Sequence, residues 1–129
     1  MSLAAVSRLL AAHAARPLDP HEAAMTAAIR DFIAAQPECL WRSCVPGHLT
    51  GSAWVVSPDR RRVLLTHHRK LDKWLQLGGH ADGDPDLAAV AQREAHEESG
   101  LMGIRLLSPE VFDVDRHWIP ERKGELGHY

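Results

Sequence analysis

The chain has 129 residues, 45% of them hydrophobic and 25% charged, which is room for one compact domain with a modest core. A formal net charge of −2, from 15 basic and 17 acidic residues, leaves no basic footprint for nucleic acid or a membrane surface. No apolar run approaches the ~20 residues that span a bilayer, and two cysteines, Cys39 and Cys44, make neither a disulfide framework nor a zinc spacing.

Both cysteines read as thiols of a reducing compartment. The first fifteen residues are Ala-rich and carry Leu3, Val6, Leu9 and Leu10 along one side, the pattern of an amphipathic helix. Arg8 and His13 interrupt any signal-like apolar stretch, so a cytoplasmic location is expected. A break at residues 16–20 follows. Asp19 is placed as an N-cap, Pro20 as the first helical residue and Glu22 at the capping-box position. This second helix is expected to end near Ala35, ahead of Pro37. Residues 1–47 thus form an N-terminal helical extension, and residues 48–129 a separate domain.

After Pro46-Gly47 the texture changes. Residues 52–56 and 62–66 are short apolar runs, and the turn-rich residues 57–61 between them predict an antiparallel hairpin. Residues 74–77 predict a strand running into Gly78-Gly79. Asp84 is placed as the next N-cap, Pro85 as the helix start and Gly100 as its stop. Residues 104–107 and 111–114 predict two further strands. Strands around one central helix, with helices ahead, give an α/β layered domain.

The central helix carries the chemistry. At 100° per residue, Glu94 and Glu98 fall within about 20° of Leu87, and Glu97 about 80° away, inside the stripe that should bury. Carboxylates at this spacing repel one another, and partial burial adds a desolvation cost. A hard divalent cation, Mg²⁺ or Mn²⁺, resolves that conflict. The alternative is a solvated acidic helix end with Arg93 as local partner. Gly78-Gly79 favours the cation, because backbone without side chains lets a ligand approach. Residues 82–84 read as a tight turn.

Residues 79–101 resemble the Nudix box, G-x5-E-x7-R-E-U-x-E-E-x-G-U with U aliphatic. Gly79, Arg93, Glu94, Ala95, Glu97, Glu98, Gly100 and Leu101 stand at matching spacing. Pro85 replaces the first box glutamate, with Asp84 and Asp86 beside it, and Ala95 is small for its slot. The resemblance implies an α/β/α sandwich with a mixed sheet, and Mg²⁺-dependent hydrolysis of a nucleoside diphosphate derivative. It implies Glu94, Glu97, Glu98 and the Gly78 carbonyl as metal ligands, and Arg93 as the group that orients a ligand carboxylate. Glu98 is the expected acceptor of the attacking water's proton.

Gly79, His80, Arg69 and Trp74 are placed as substrate contacts; His67 and Lys70 flank them. Nine histidines raise the question of zinc, yet no HExxH occurs. The family's sheet ordinarily continues past the region matched by residues 111–118, so part of the fold is expected to be missing at the C-terminus. Glu121 and Glu125 are weighed as stand-ins for its loop groups. A strand exchange between two copies would close the exposed edge. A Nudix-like module that binds nucleotide without turnover is the main competing reading, and a helical interaction protein the other.

Overall fold

A computed structural model describes residues 2–120 and 127–129. Two helices come first, α1 (Ser2–Ala14) and α2 (Pro20–Ala35). The start of α2 is as expected. Asp19 accepts the Glu22 N–H at 2.8 Å, and Pro20 needs no partner for a missing N–H. Turns through residues 36–44 then lead into the strands.

The strands are short and pair antiparallel. β1 (Thr50–Ala53) pairs with β6 (Leu77–His80), β2 (Val55–Val56) with β3 (Val63–Leu64), and β4 (Thr66–His68) with β5 (Lys73–Leu75). The expected hairpin is the β2–β3 pair, with Ser57 and Asp59 tying its turn. The expected strands at residues 104–107 and 111–114 are not found; both stretches are irregular. Their apolar side chains lack a sheet to join, and Leu107 and Phe112 stay exposed at 66% and 74%. A strand is stable only where a neighbour accepts its backbone groups. Among the described residues of the C-terminal stretch, Ile119 bridges His128. Tyr129 there bonds back to Pro46 and His48.

Helix α3 (Leu87–Ser99) packs on β1 and β6. Its N-cap is Asp86 rather than the expected Asp84; the Asp86 side chain accepts the Ala89 N–H. Asp84 is used one step earlier, accepting the Asp86 N–H at 2.9 Å. Pro85 therefore lies in the approach to the helix, where its fixed φ suits the turn. Gly100 closes α3 in the left-handed region at φ 68°, as expected. Val90 and Ala95 are fully buried on the face toward the sheet.

Small residues make that contact close. A side chain on Gly51 would meet the Leu87 carbonyl and Val90 Cγ1, both at 2.9 Å. Ala95, small for the aliphatic slot, is itself fully buried. One hydrophobic cluster joins Val6, Leu10 and Ile33 of the helices to Cys39, Leu40, Ala81, Val90 and Val114. The first two helices thus share a core with the strands and α3. Both thiols are free and buried, and burial, then Cys44, pushes Cys39 up.

A polar node ties α1 and α2 to the 111–115 stretch. Glu22 Oε2 accepts from buried His13 Nε2 at 2.7 Å and from the Val114 N–H at 2.8 Å. Burial pushes Glu22 up, but bonds from His13, Asp113 and Val114 outweigh it and hold the group low. Burial and the facing Glu22 push Asp113 up. A lowered carboxylate contributes stability that is present above its usual range and lost as pH falls through the lowered value. Glu22→Ala strands His13 and the Val114 N–H, so we expect a loss of about 1–3 kcal/mol. Urea melts at neutral pH check this; an unchanged midpoint would remove the node from the stability account.

Candidate active site

The site forms where the C-terminal half of α3 lies along β6. Strand β6 brings Gly78 and Gly79 across from Ser52 and Gly51. A side chain on Gly78 would run into backbone, and one on Gly79 would have to push the Glu94 carboxylate aside. A Cβ on Gly78 would lie 2.7 Å from the Gly51 carbonyl oxygen, and one on Gly79 would lie 2.5 Å from Glu94 Oε1. Helical spacing sets Glu94 and Glu98 on neighbouring turns of one face. Glu94 thus rests on Gly79, and the Gly78 N–H faces the Glu98 carboxylate. In a ladder the N–H and C=O of one residue share an edge, so the Gly78 carbonyl lies on the Glu98 side.

The acids are less buried than the helical wheel suggests. Glu94 is half-buried, and Glu97 and Glu98 are exposed. The buried stripe centres nearer Ala95, which turns Glu97 to solvent. Even so, Glu98 is held above the usual carboxylate range. Burial is the largest cause and Glu94 the next; Glu97 adds to it, while the Gly78 N–H and His68 oppose it. Like charges and desolvation make ionisation costly.

Arg93 pairs with Asp84, Nη1 to Oδ2 at 3.7 Å, and no contact with the three glutamates is found for it. His80, one residue past the glycine pair, stacks on His48 with ring centroids 5.1 Å apart, and His48 stacks on His128 at 5.2 Å. Trp74 is 68% exposed and packs on His67, and His67 bonds Asp72. Arg69 lies exposed in the β4–β5 turn. The structure therefore brings Gly78, Gly79, Glu94 and Glu98 together and leaves Arg69 and Trp74 at the rim of a separate hairpin. Glu121 and Glu125 lie outside the described residues.

The sequence places His67 and His68 on opposite faces of a strand but weighs only His67, with Arg69 and Lys70, as a phosphate contact, and leaves His68 out of the site. Its charge reaches Glu98, and its Nδ1 accepts the Leu71 N–H at 3.2 Å. The alternation itself was legible: His67 pairs across to Trp74, and His68 turns to the other face.

The donor set suits a hard cation. It offers carboxylate and carbonyl oxygens, and the cost of ionising Glu98 beside Glu94 is relieved by positive charge. Among the described residues, no three acidic, imidazole or thiol side chains already converge as an ion's shell. A groove of about 500 Å³ runs between α1 and α2 past Leu3, Leu10 and Ile33, away from these residues. The glutamates and glycines form an open surface site.

No helix among the described residues is long and apolar enough to cross a membrane. Comparison with curated proteins finds no match. The family model described as NUDIX domain matches residues 48–126. That is more than half of the chain, it contains the glycine pair and all three glutamates of the site, and it carries the general activity of hydrolysing nucleoside diphosphate derivatives: the chain belongs to the Nudix family.

Proposed function

We propose that the chain hydrolyses a diphosphate bond in a nucleoside diphosphate derivative, with Mg²⁺, or Mn²⁺ in its place, held by Glu94, Glu97, Glu98 and the Gly78 carbonyl. One observation carries this reading. Glu94 lies so close on the Gly79 backbone that a side chain there would displace it, and the Gly78 N–H faces the Glu98 carboxylate. Glu97 is the neighbour that completes the acidic set from solvent.

Bound Mg²⁺ supplies charge to the diphosphate and acidity to a water. The protein's share is positioning and proton handling. Glu98 accepts the proton of the water that adds to one phosphorus, and the bond to the bridging oxygen breaks. Its raised affinity for a proton suits that task. Arg93, held by Asp84, steadies the helix beside the acids. Gly79 and His80 lie on the substrate side, with Arg69 and Trp74 of the β4–β5 hairpin as outer contacts. The same reading treats residues 1–47 as an extension to a Nudix sandwich with a mixed sheet. A second copy completes the sheet edge, and the cytoplasm is the working compartment. The substrate is a small molecule; neither nucleic acid nor a membrane is a partner.

The test pairs hydrolysis with thermal melts. A panel of ADP-ribose, NADH, dinucleoside polyphosphates, coenzyme A and dNTPs should give Mg²⁺-dependent release of a phosphate-containing product. A folded-state pKa raised above the unfolded value contributes stability at low pH that is lost as pH rises through it. The cation replaces that proton. Mg²⁺ should therefore raise the melting temperature more at about pH 7 than at about pH 4. Equal shifts at both pH values, with no turnover of any substrate, would sink the reading. Binding of nucleotide and Mg²⁺ without turnover would favour the inactive module.

A further inference from the structure

The stretch just ahead of the matched residues reaches into the loop that leads to α3. Leu40 accepts the Gly83 N–H at 3.0 Å. The Trp41 ring occupies the space a Gly83 side chain would need. Arg42 makes a fork on Asp82, Nε to Oδ1 at 3.1 Å and Nη2 to Oδ2 at 2.8 Å. The stretch is itself anchored, since Cys39 accepts the Leu49 N–H at 2.7 Å. Three consecutive residues therefore grip two residues of one turn.

That turn is an unusual conformation. Asp82 has φ 48° and Gly83 φ 89°. A non-glycine residue in the left-handed region is disfavoured and persists where its surroundings fix it. The two parallel bonds of the fork fix both the position and the plane of the Asp82 carboxylate. As a stabiliser the pair is poor. Arg42 is 60% and Asp82 48% exposed, and exposed pairs contribute little. Its consequence is geometric. The turn joins β6, which carries Gly78 and Gly79, to α3, which carries Glu94 and Glu98.

We infer that Arg42 is a positioning residue: its fork on Asp82 fixes the turn that sets α3 against β6, and so sets the glutamates against the glycine pair. The inference rests on the reading of those glutamates as a cation site. The role assigned to Arg42 runs through Asp82 and not through contact with cation or substrate. Arg42 acts from outside the stretch that the family model matches.

Mn²⁺ binding followed by electron paramagnetic resonance tests this on the full chain. The variants are Arg42→Ala, Arg42→Lys, Asp82→Asn and the double Arg42→Ala/Asp82→Asn. Asparagine keeps the shape of Asp82 and tolerates the left-handed region. We expect each alanine or asparagine change to weaken Mn²⁺ about tenfold, the size of effect seen for groups that orient ligands. The double variant should be no weaker than either single, because both remove one fork. Lysine should recover part of the loss, since it supplies the charge without the fork. Melting temperatures should stay within a few degrees, and where a substrate is turned over, kcat should fall more than KM rises. Wild-type affinity in Arg42→Ala, or additive losses in the double variant, overturns the positioning role alone. Should Arg42→Ala fail to fold, Arg42→Lys and Asp82→Asn decide by the same measure. A wild-type chain that binds no Mn²⁺ overturns the cation site and this inference with it.

Discussion

Replacing Glu98 by Gln should lower kcat by about 10²–10⁴-fold, the range for removing a positioned general base, and leave the fold in place. The substitution keeps size and hydrogen-bonding capacity and removes only the ability to take a proton or ligate as an anion. Glu98 is exposed, so its loss leaves no cavity. Its carboxylate is also held above the usual range, through burial first and Glu94 second. The glutamine variant should thus melt at or slightly above the metal-free wild type, and Mg²⁺ should raise its melting temperature less. Steady-state rates with the best substrate of the panel, beside melts with and without Mg²⁺, give both numbers. A variant with wild-type turnover removes Glu98 from proton transfer; one with lost turnover and normal Mg²⁺ stabilisation keeps it as base and removes it as ligand.

Much of this site was legible in the sequence because it depends on short-range geometry. The spacing of Glu94, Glu97 and Glu98 decides which side of a helix they share, whatever the rest of the chain does. Gly78 and Gly79 announce a close approach because no other residue allows one. Caps at Asp19 and Gly100 are local bonds and were found as expected. What failed depended on distant partners. Residues 104–107 and 111–114 have strand-like composition, but β-propensity reflects packing against a neighbour, and none of the described residues pairs with them. The helix start moved from Asp84 to Asp86 because both aspartates can cap, and the turn at Asp82-Gly83 absorbed the first. The burial of the acids was overstated because the wheel ignores side-chain size. Ala91 and Ala95 are small enough to draw their side of α3 onto the sheet, which tips Glu97 outward. Arg42 gave no signal at all, since its partner Asp82 is forty residues away in sequence and nothing local marks it.

Gly79→Ala should uncouple fold from chemistry. The added methyl would stand 2.5 Å from Glu94 Oε1 and 2.6 Å from its Cδ. Both atoms end a flexible side chain, so the carboxylate swings away at little cost to stability. The cation then loses its nearest ligand to the glycine bend, and displacements of about 1 Å in such a set cost up to about 10²-fold in rate. We expect kcat to fall on that scale and the Mg²⁺ requirement to rise, with stability nearly unchanged. Gly51→Ala gives the opposite pairing. Its methyl would meet the Leu87 carbonyl and Val90 Cγ1 at 2.9 Å. Backbone on one side and a fully buried valine on the other cannot yield, so overpacking of about 1–3 kcal/mol is expected. Adding Glu94→Asp to Gly79→Ala shortens the carboxylate and makes room for the methyl. If Glu94 must lie on the Gly79 backbone to hold the cation, that second change recovers part of the Mg²⁺ response. If Gly79→Ala keeps full turnover and an unaltered Mg²⁺ dependence, the contact between Glu94 and the glycine bend is a packing detail, and the cation sits elsewhere.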